Sequence, residues 1–204
     1  MGTKQKRFTL IELLVVVAVI SVLAGIAVPA IASTRHAARR ISCLGRLRQL
    51  GFAFHSYSLD YRGLIPHEDG GSTLPPHDCC WFDLIDPYVD FNREVKHCTI
   101  KDPELRYKSF KMNSVLDNGG RAPFYKIGTA ENETRLILLF DGRIDNHAVK
   151  YQPKGSSGSV SSRHKSGKEG GANFLFADGH AAWHSEIANG GFYTIKDELE
   201  WEPE

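Results

Sequence analysis

"KRFTLIELLVVVAVISVLAGIAVPAIASTRHAARR" (Lys6–Arg40) decides the fold, because it is an apolar run with cations on both sides. From Leu10 to Ala32 its one charge is Glu12. Wound as a helix at about 1.5 Å per residue, the run reaches roughly 30 Å, enough for the hydrocarbon core of a bilayer. A carboxylate near the end of such a run is expensive unless it snorkels to water or finds a partner. Glu12 therefore asks for an explanation. Lys4, Lys6 and Arg7 precede the run, and Arg35, Arg39, Arg40, Arg46 and Arg48 follow it. With cations at both ends, charge alone does not orient the segment. The five arginines read as a solvated helix face, or alternatively as contacts to anionic headgroups.

Helical patterning continues beyond the run. Apolar residues fall at Ile31, Ile41, Leu44, Leu47, Leu50, Phe54, Tyr57 and Tyr61, in steps of three or four from Ile41 onward. Pro29 is expected to kink the helix, not end it, and Gly63 with Pro66 supplies the stop. The outer half would not hold alone and must dock on a domain.

The chain has 204 residues, with 25 Lys and Arg against 24 Asp and Glu. That balance argues against a nucleic-acid binder, which carries a basic excess on one face. Beyond the apolar run there is chain for one domain with a modest core. Leu64–Pro103 reads as loop, interrupted by the short amphipathic turn "CCWFDLIDPYV". Strands are expected in "YKSFKMNSVL", in "TRLILLFDG" and in the two arms of "ANFLFADGHAAWHS". Asp178-Gly179 between those arms predicts a hairpin closed by a type I′ turn. "PKGSSGSVSSRHKSGKEGG" is too polar to pack. One long helix followed by antiparallel strands is an α+β fold.

The N-terminal segment admits three readings. It is a plain anchor, or a secretory signal peptide cut after Ala30-Ile31-Ala32, although its apolar stretch is long for that. The third reading is more specific. A short basic leader, then Phe8, Glu12 as the fifth residue from Phe8 and Pro29 as the twenty-second, resembles the N-terminus of type IV pilin-like prepilins. The resemblance implies that the leader is cut before Phe8, that the new amine is methylated, and that Glu12 pairs with the amine of a neighbouring subunit. Such a pair gains where water is excluded. The alternative for Glu12 is a headgroup-level carboxylate facing water. Most of the family has Gly before the cut where this chain has Arg7, a departure that bears on processing by the prepilin peptidase. The resulting divisions are a leader at 1–7, a transmembrane prepilin segment at 8–32, an amphipathic continuation at 33–63 and an α+β pilin-like domain at 64–204.

"CLGRLRQLGFAFHSYSLDYRGLIP" resembles a prepilin-like group abundant in planctomycete-type bacteria. "RHKSGKEGGANFLFADGH" resembles the same group's C-terminal processing-associated signature, a His followed about nine residues later by Asp-Gly. Here His164 and Asp178-Gly179 have thirteen residues between them, with the extra ones in a loop. On the residues alone, Asp178 and Gly179 close a hairpin and His164 bonds to the turn.

For metals, Asp141 and Asp178 end similar apolar strands and are weak Ca²⁺ candidates; otherwise no cofactor is expected. His77, Cys79, Cys80, His97 and Cys98 form a second cluster, without Cys-x-x-Cys or His-x₃-His spacing for zinc. In an oxidising compartment Cys98 pairs with Cys79 or Cys80, and Cys43 pairs too or simply packs. No G-x-S-x-G, phosphate loop or H-E-x-x-H occurs, so no catalytic residues are expected.

The expectation is a non-enzymatic, single-pass inner-membrane subunit with its domain periplasmic or extracellular. Its partners are the membrane, other pilin-like subunits of a type IV pilus-like or type II secretion pseudopilus filament, and the prepilin peptidase, with no nucleic acid. The rivals are a surface-anchored binding or enzymatic domain on an uncleaved pilin-type helix, and a soluble protein released after Ala32.

Overall fold

The computed structural model describes residues 9–67, 81–100, 110–113, 115–116, 125–142, 160–164 and 170–185. Arg7, Phe8, His77, Cys79, Cys80 and most of the polar stretch between Pro153 and Gly171 lie outside these residues.

Helix α1 runs from Leu10 to Asp60. Its start is a reciprocal cap. Thr9 Oγ1 accepts from the Glu12 backbone N–H at 3.3 Å, and Glu12 Oε2 accepts from the Thr9 N–H at 2.8 Å. Thr-x-x-Glu ahead of an apolar run is a sequence-level capping box, which gives Glu12 a local role. Leu10–Val28 is long and apolar enough to cross a membrane, and none of it is buried inside the protein. The helix continues through position 29 and ends at Asp60, where Arg62 and Gly63 take positive φ and the Gly63 N–H bonds to the Ser58 carbonyl at 2.7 Å.

The outer half of α1 docks as expected: Leu47, Leu50, Phe54 and Tyr57 of the expected stripe are buried and Leu44 packs against the core. Its buried residues are Cys43, Leu47, Leu50, Gly51, Ala53, Phe54, Tyr57 and Ser58. Ile41 and Tyr61 stay 64% and 50% exposed. At about 100° per residue, Ile41 lies some 160° around the helix from Cys43. Phe52 and Leu59 share that outer face and are likewise exposed. The three-or-four spacing held along the middle of the stripe, and only its ends, Ile41 and Tyr61, turn outward.

Helix α2 (Trp81–Leu84) and two 3-10 turns (Asp86–Val89 and Arg93–Lys96) follow. They pack Trp81, Phe82, Ile85 and Val95 into the core that α1 shares with the sheet. The sheet is an antiparallel meander in chain order: β1 (Phe110–Met112), β2 (Ile137–Asp141), β3 (Gly171–Phe176) and β4 (Ala181–Ser185). Three strands fall inside the expected stretches, and β3 begins one residue ahead of its stretch, at Gly171. Strands β2 and β3 are buried throughout because both sheet faces are covered. Leu139 and Leu175 join the α1 side, while Ile137, Phe140, Phe174 and Phe176 form a second cluster with Val160 and Ala172. Burying each such side chain contributes about 1.5–3 kcal/mol. The structure is α+β and pilin-like, with one long N-terminal helix laid against a small antiparallel sheet.

The β3–β4 hairpin forms at Asp178-Gly179 but not with a type I′ turn. The Gly179 N–H bonds to the Phe176 carbonyl and the Phe176 N–H to the His180 carbonyl, both at 2.9 Å. Only Gly179 has positive φ there, at 90°. That is a three-residue loop with glycine in the left-handed position. The Asp178 carboxylate accepts from the His180 N–H at 3.0 Å, an Asx-type bond that holds the turn.

Candidate functional site

Four segments far apart in the chain bring Cys43, Cys98, Asp141 and His164 together. One donor atom from each lies within 4.8 Å of all the others. Cys43 comes from α1, one turn before Leu47. Cys98 follows the second 3-10 turn. Asp141 is the last residue of β2, and His164 precedes β3.

The scaffold fixes each of them. Arg46 donates to the His97 carbonyl at 2.7 Å, and the Thr99 hydroxyl donates to the Arg39 carbonyl at 3.0 Å. These two bonds clip the Cys98 loop to α1. Asp141 is held at both ends: its carbonyl accepts from the Ser161 N–H and its Oδ2 from the Asn173 N–H, each at 2.8 Å. The His164 N–H bonds to the Gly171 carbonyl at 3.0 Å, and Trp183 Nε1 donates to the His164 carbonyl at 3.1 Å. Trp183 reaches that carbonyl across Gly171, where a Cβ would sit 2.4 Å from the indole ring. Only glycine leaves room for it.

Within the cluster, Cys98 Sγ is 3.2 Å from His164 Nε2, which is 3.3 Å from Asp141 Oδ2. The Cys43 thiol faces Asp141 Oδ1 at 3.9 Å. Cys43, Asp141 and His164 are 0% exposed and Cys98 is 3% exposed. Such burial forces the charges to compensate one another. The hydrogen bond to Cys98, burial and Asp141 push the Cys43 thiol up. The same thiol–thiol bond pulls Cys98 down to about 5, against burial and with help from His164. Burial alone would lower His164, but its bonds to Asp141 and Cys98 raise it to about 9. A thiolate beside an imidazolium is the charge state of a nucleophilic Cys–His couple. Among the described residues the couple is almost fully enclosed. The donor set suits a metal ion better.

This arrangement regroups the residues singled out in the sequence. His164 does not bond to the Asp178-Gly179 turn, because it sits by the start of β3 and the turn follows its end. The register likewise separates the two Ca²⁺ candidates. Asp141 ends β2, while the Asp178 N–H bonds to the Glu133 carbonyl ahead of β2. Among the described residues Cys43 and Cys98 are both free thiols, and Cys98 faces Cys43 and His164. His97 turns its ring toward Phe82, 5.8 Å away, and does not join Cys98. Cys43 was visible only as a helix residue. Its place one turn from Leu47 marks it as inward-facing, but no local spacing links positions 43, 98, 141 and 164.

Two comparisons bear on the chain as a whole. Residues 4–28 match the prokaryotic N-terminal methylation motif. Residues 32–97 match a family described as a protein of unknown function (DUF1559). No curated protein and no solved structure matches the chain. The methylation motif, leading into an exposed apolar helix that fits a membrane anchor, makes this a pilin-like, membrane-anchored chain.

Proposed function

We propose that the protein is a non-enzymatic subunit of a type IV pilus-like or type II secretion-like filament. It is held in the inner membrane by Leu10–Val28, with its domain on the periplasmic or extracellular side. The observation that carries this reading is the methylation motif at 4–28, which ends where the exposed span ends. The prepilin peptidase cuts between Arg7 and Phe8, and the new amine is methylated. Glu12, already capping α1 in the single chain, offers its carboxylate to the amine of a neighbour, and Pro29 lies where the helix leaves the membrane. The outer face of α1 supports packing against another subunit, since Ile41, Phe52 and Leu59 present 64%, 75% and 84% of their surface. The His164…Asp178-Gly179 pattern belongs, in this reading, to the C-terminal signature of the planctomycete-type group.

A second reading rests on Arg7. If the cation in place of the family's Gly stops processing, the chain is a surface-anchored binding or enzymatic domain on an uncleaved helix. Mass spectrometry of the membrane-extracted protein separates the two. A methylated N-terminus at Phe8 is expected, whereas an intact leader selects the second reading, and a start at Ser33 would replace both with a secreted protein.

A further inference from the structure

We propose that Cys43, Cys98, Asp141 and His164 form a closed four-ligand site for a zinc ion that fastens the membrane helix to the sheet. This inference does not depend on filament assembly. A tetrahedral zinc with Zn–S of about 2.3 Å and Zn–N or Zn–O of about 2.0–2.2 Å has ligand-to-ligand edges of about 3.3–3.8 Å. Cys98 Sγ stands 3.2 Å from His164 Nε2, which is 3.3 Å from Asp141 Oδ2, and Cys43 Sγ is 3.9 Å from the other carboxylate oxygen, Oδ1. One donor atom from each of the four segments lies within 4.8 Å of all the others, a spread that small shifts of these side chains would close to those edges.

The donor chemistry selects the ion. Two sulfurs, an imidazole and one carboxylate are a zinc-type set, whereas Ca²⁺ takes six to eight oxygens. The groups around the ligands fit as well. Cys98 Sγ accepts the Ile100 N–H at 3.4 Å, and Asp141 Oδ2 receives the Asn173 N–H. Such bonds orient metal ligands and hold them in the charged form. His164 Nδ1 and the Asn173 side-chain amide are buried without partners among the described residues. On binding, Nε2 faces the ion and Nδ1 carries the imidazole proton. The thiol proton of Cys43 and the proton shared by Cys98 and His164 leave to solvent. With all four positions taken by protein there is no place for a reactive water, so the ion is structural. Because one ligand is on α1 and three are on the domain, binding energy becomes docking energy for the helix.

The rival chemistry for the same sulfurs is a Cys43–Cys98 disulfide, which would exclude the ion. The test uses the full chain purified in detergent, without added chelator. Elemental analysis should find about one zinc per chain. Exchange for Co²⁺ should give the intense visible bands and the sulfur charge-transfer absorption of tetrahedral thiolate coordination. Cys98→Ser and His164→Ala should lower zinc content roughly tenfold or more, while Cys79→Ser/Cys80→Ser keeps it. Since the first two variants may fail to fold, the unaltered protein provides an independent arm: chelation should lower its melting temperature, and added Zn²⁺ should restore it. Three results would overturn the site: reduced protein that takes up neither Zn²⁺ nor Co²⁺, a weak octahedral cobalt spectrum, or a Cys43–Cys98 disulfide in the protein as isolated.

Discussion

Cys98 Sγ lies 3.2 Å from His164 Nε2 although sixty-six positions of chain separate them. The hydrogen bond with Cys43, helped by this contact, pulls the Cys98 thiol below its ordinary range, and burial withholds it from reagents. The folded protein should therefore label slowly with iodoacetamide at Cys43 and Cys98 at pH 7, and rapidly once unfolded. Peptide mapping of the labelled sites checks this. Fast labelling of native Cys98 would mean that the loop after the second 3-10 turn opens.

Glu12 has two jobs that substitution can separate. Glutamine keeps a capping box but carries no charge. Glu12→Gln should therefore preserve α1 and membrane insertion while reducing cross-linking between subunits. Glu12→Val should reduce it as much or more, since leaving a neighbour's buried amine unpaired costs about 3–5 kcal/mol. Cross-linking at parental levels in both variants would leave Glu12 with the cap alone.

Lys96 is completely buried, and its ammonium bonds to the Asp86 carboxylate and the Phe82 carbonyl, 4.4 Å from the Phe82 ring centroid. Lys96→Met strands a buried carboxylate and should cost about 3–5 kcal/mol. Combining it with Asp86→Asn should recover part of that loss. Denaturant melts of the two proteins give the comparison, and equal stability would show that the pair is solvated.

Two glycines should respond in opposite directions to alanine. At Gly45 on α1 a Cβ meets nothing within 4 Å, so Gly45→Ala should stabilise by about 0.5–1 kcal/mol through helix propensity. At Gly179, φ is 90° and a Cβ would lie 3.2 Å from His55 Nε2. Gly179→Ala should cost about 1–2 kcal/mol. Thermal melts read both.

Burial and the neighbouring Tyr61 raise the Tyr57 phenol from 10 to about 12. Its folded-state pKa lies above the unfolded one, so the stability it contributes is complete below pH 10 and is lost as pH rises toward 12. Tyr57→Phe should flatten the alkaline limb of the stability profile over that window. An unchanged limb would mean that Tyr57 ionises freely in the fold.

The long helix, the strands and the turn at Asp178 were legible because each is announced locally, by three-or-four spacing, continuous apolar runs and Asp-Gly. The residue at which the α1 seam begins was not, since Ile41 and Cys43 are both apolar and two residues apart. Only packing against the sheet decides between them. The turn type depended on one residue of register. The four-residue cluster was illegible for a different reason: Cys43, Cys98, Asp141 and His164 owe their meeting to the meander order of the strands and to clips such as Arg46 to His97. Thr9-x-x-Glu12, by contrast, stood in plain view as a capping box, although Glu12 first drew notice only for its charge.

Between Val28, where the apolar span ends, and Arg39, where the Thr99 hydroxyl ties the domain to the helix, α1 runs on as a neck. Eleven residues of helix put about 16 Å between those two points. A rigid neck also couples height to heading. Removing four residues from it would bring the domain some 6 Å closer to the bilayer and swing it about 40° around the helix axis, whereas removing seven would lower it by about 10 Å and return it to within roughly 20° of its original bearing.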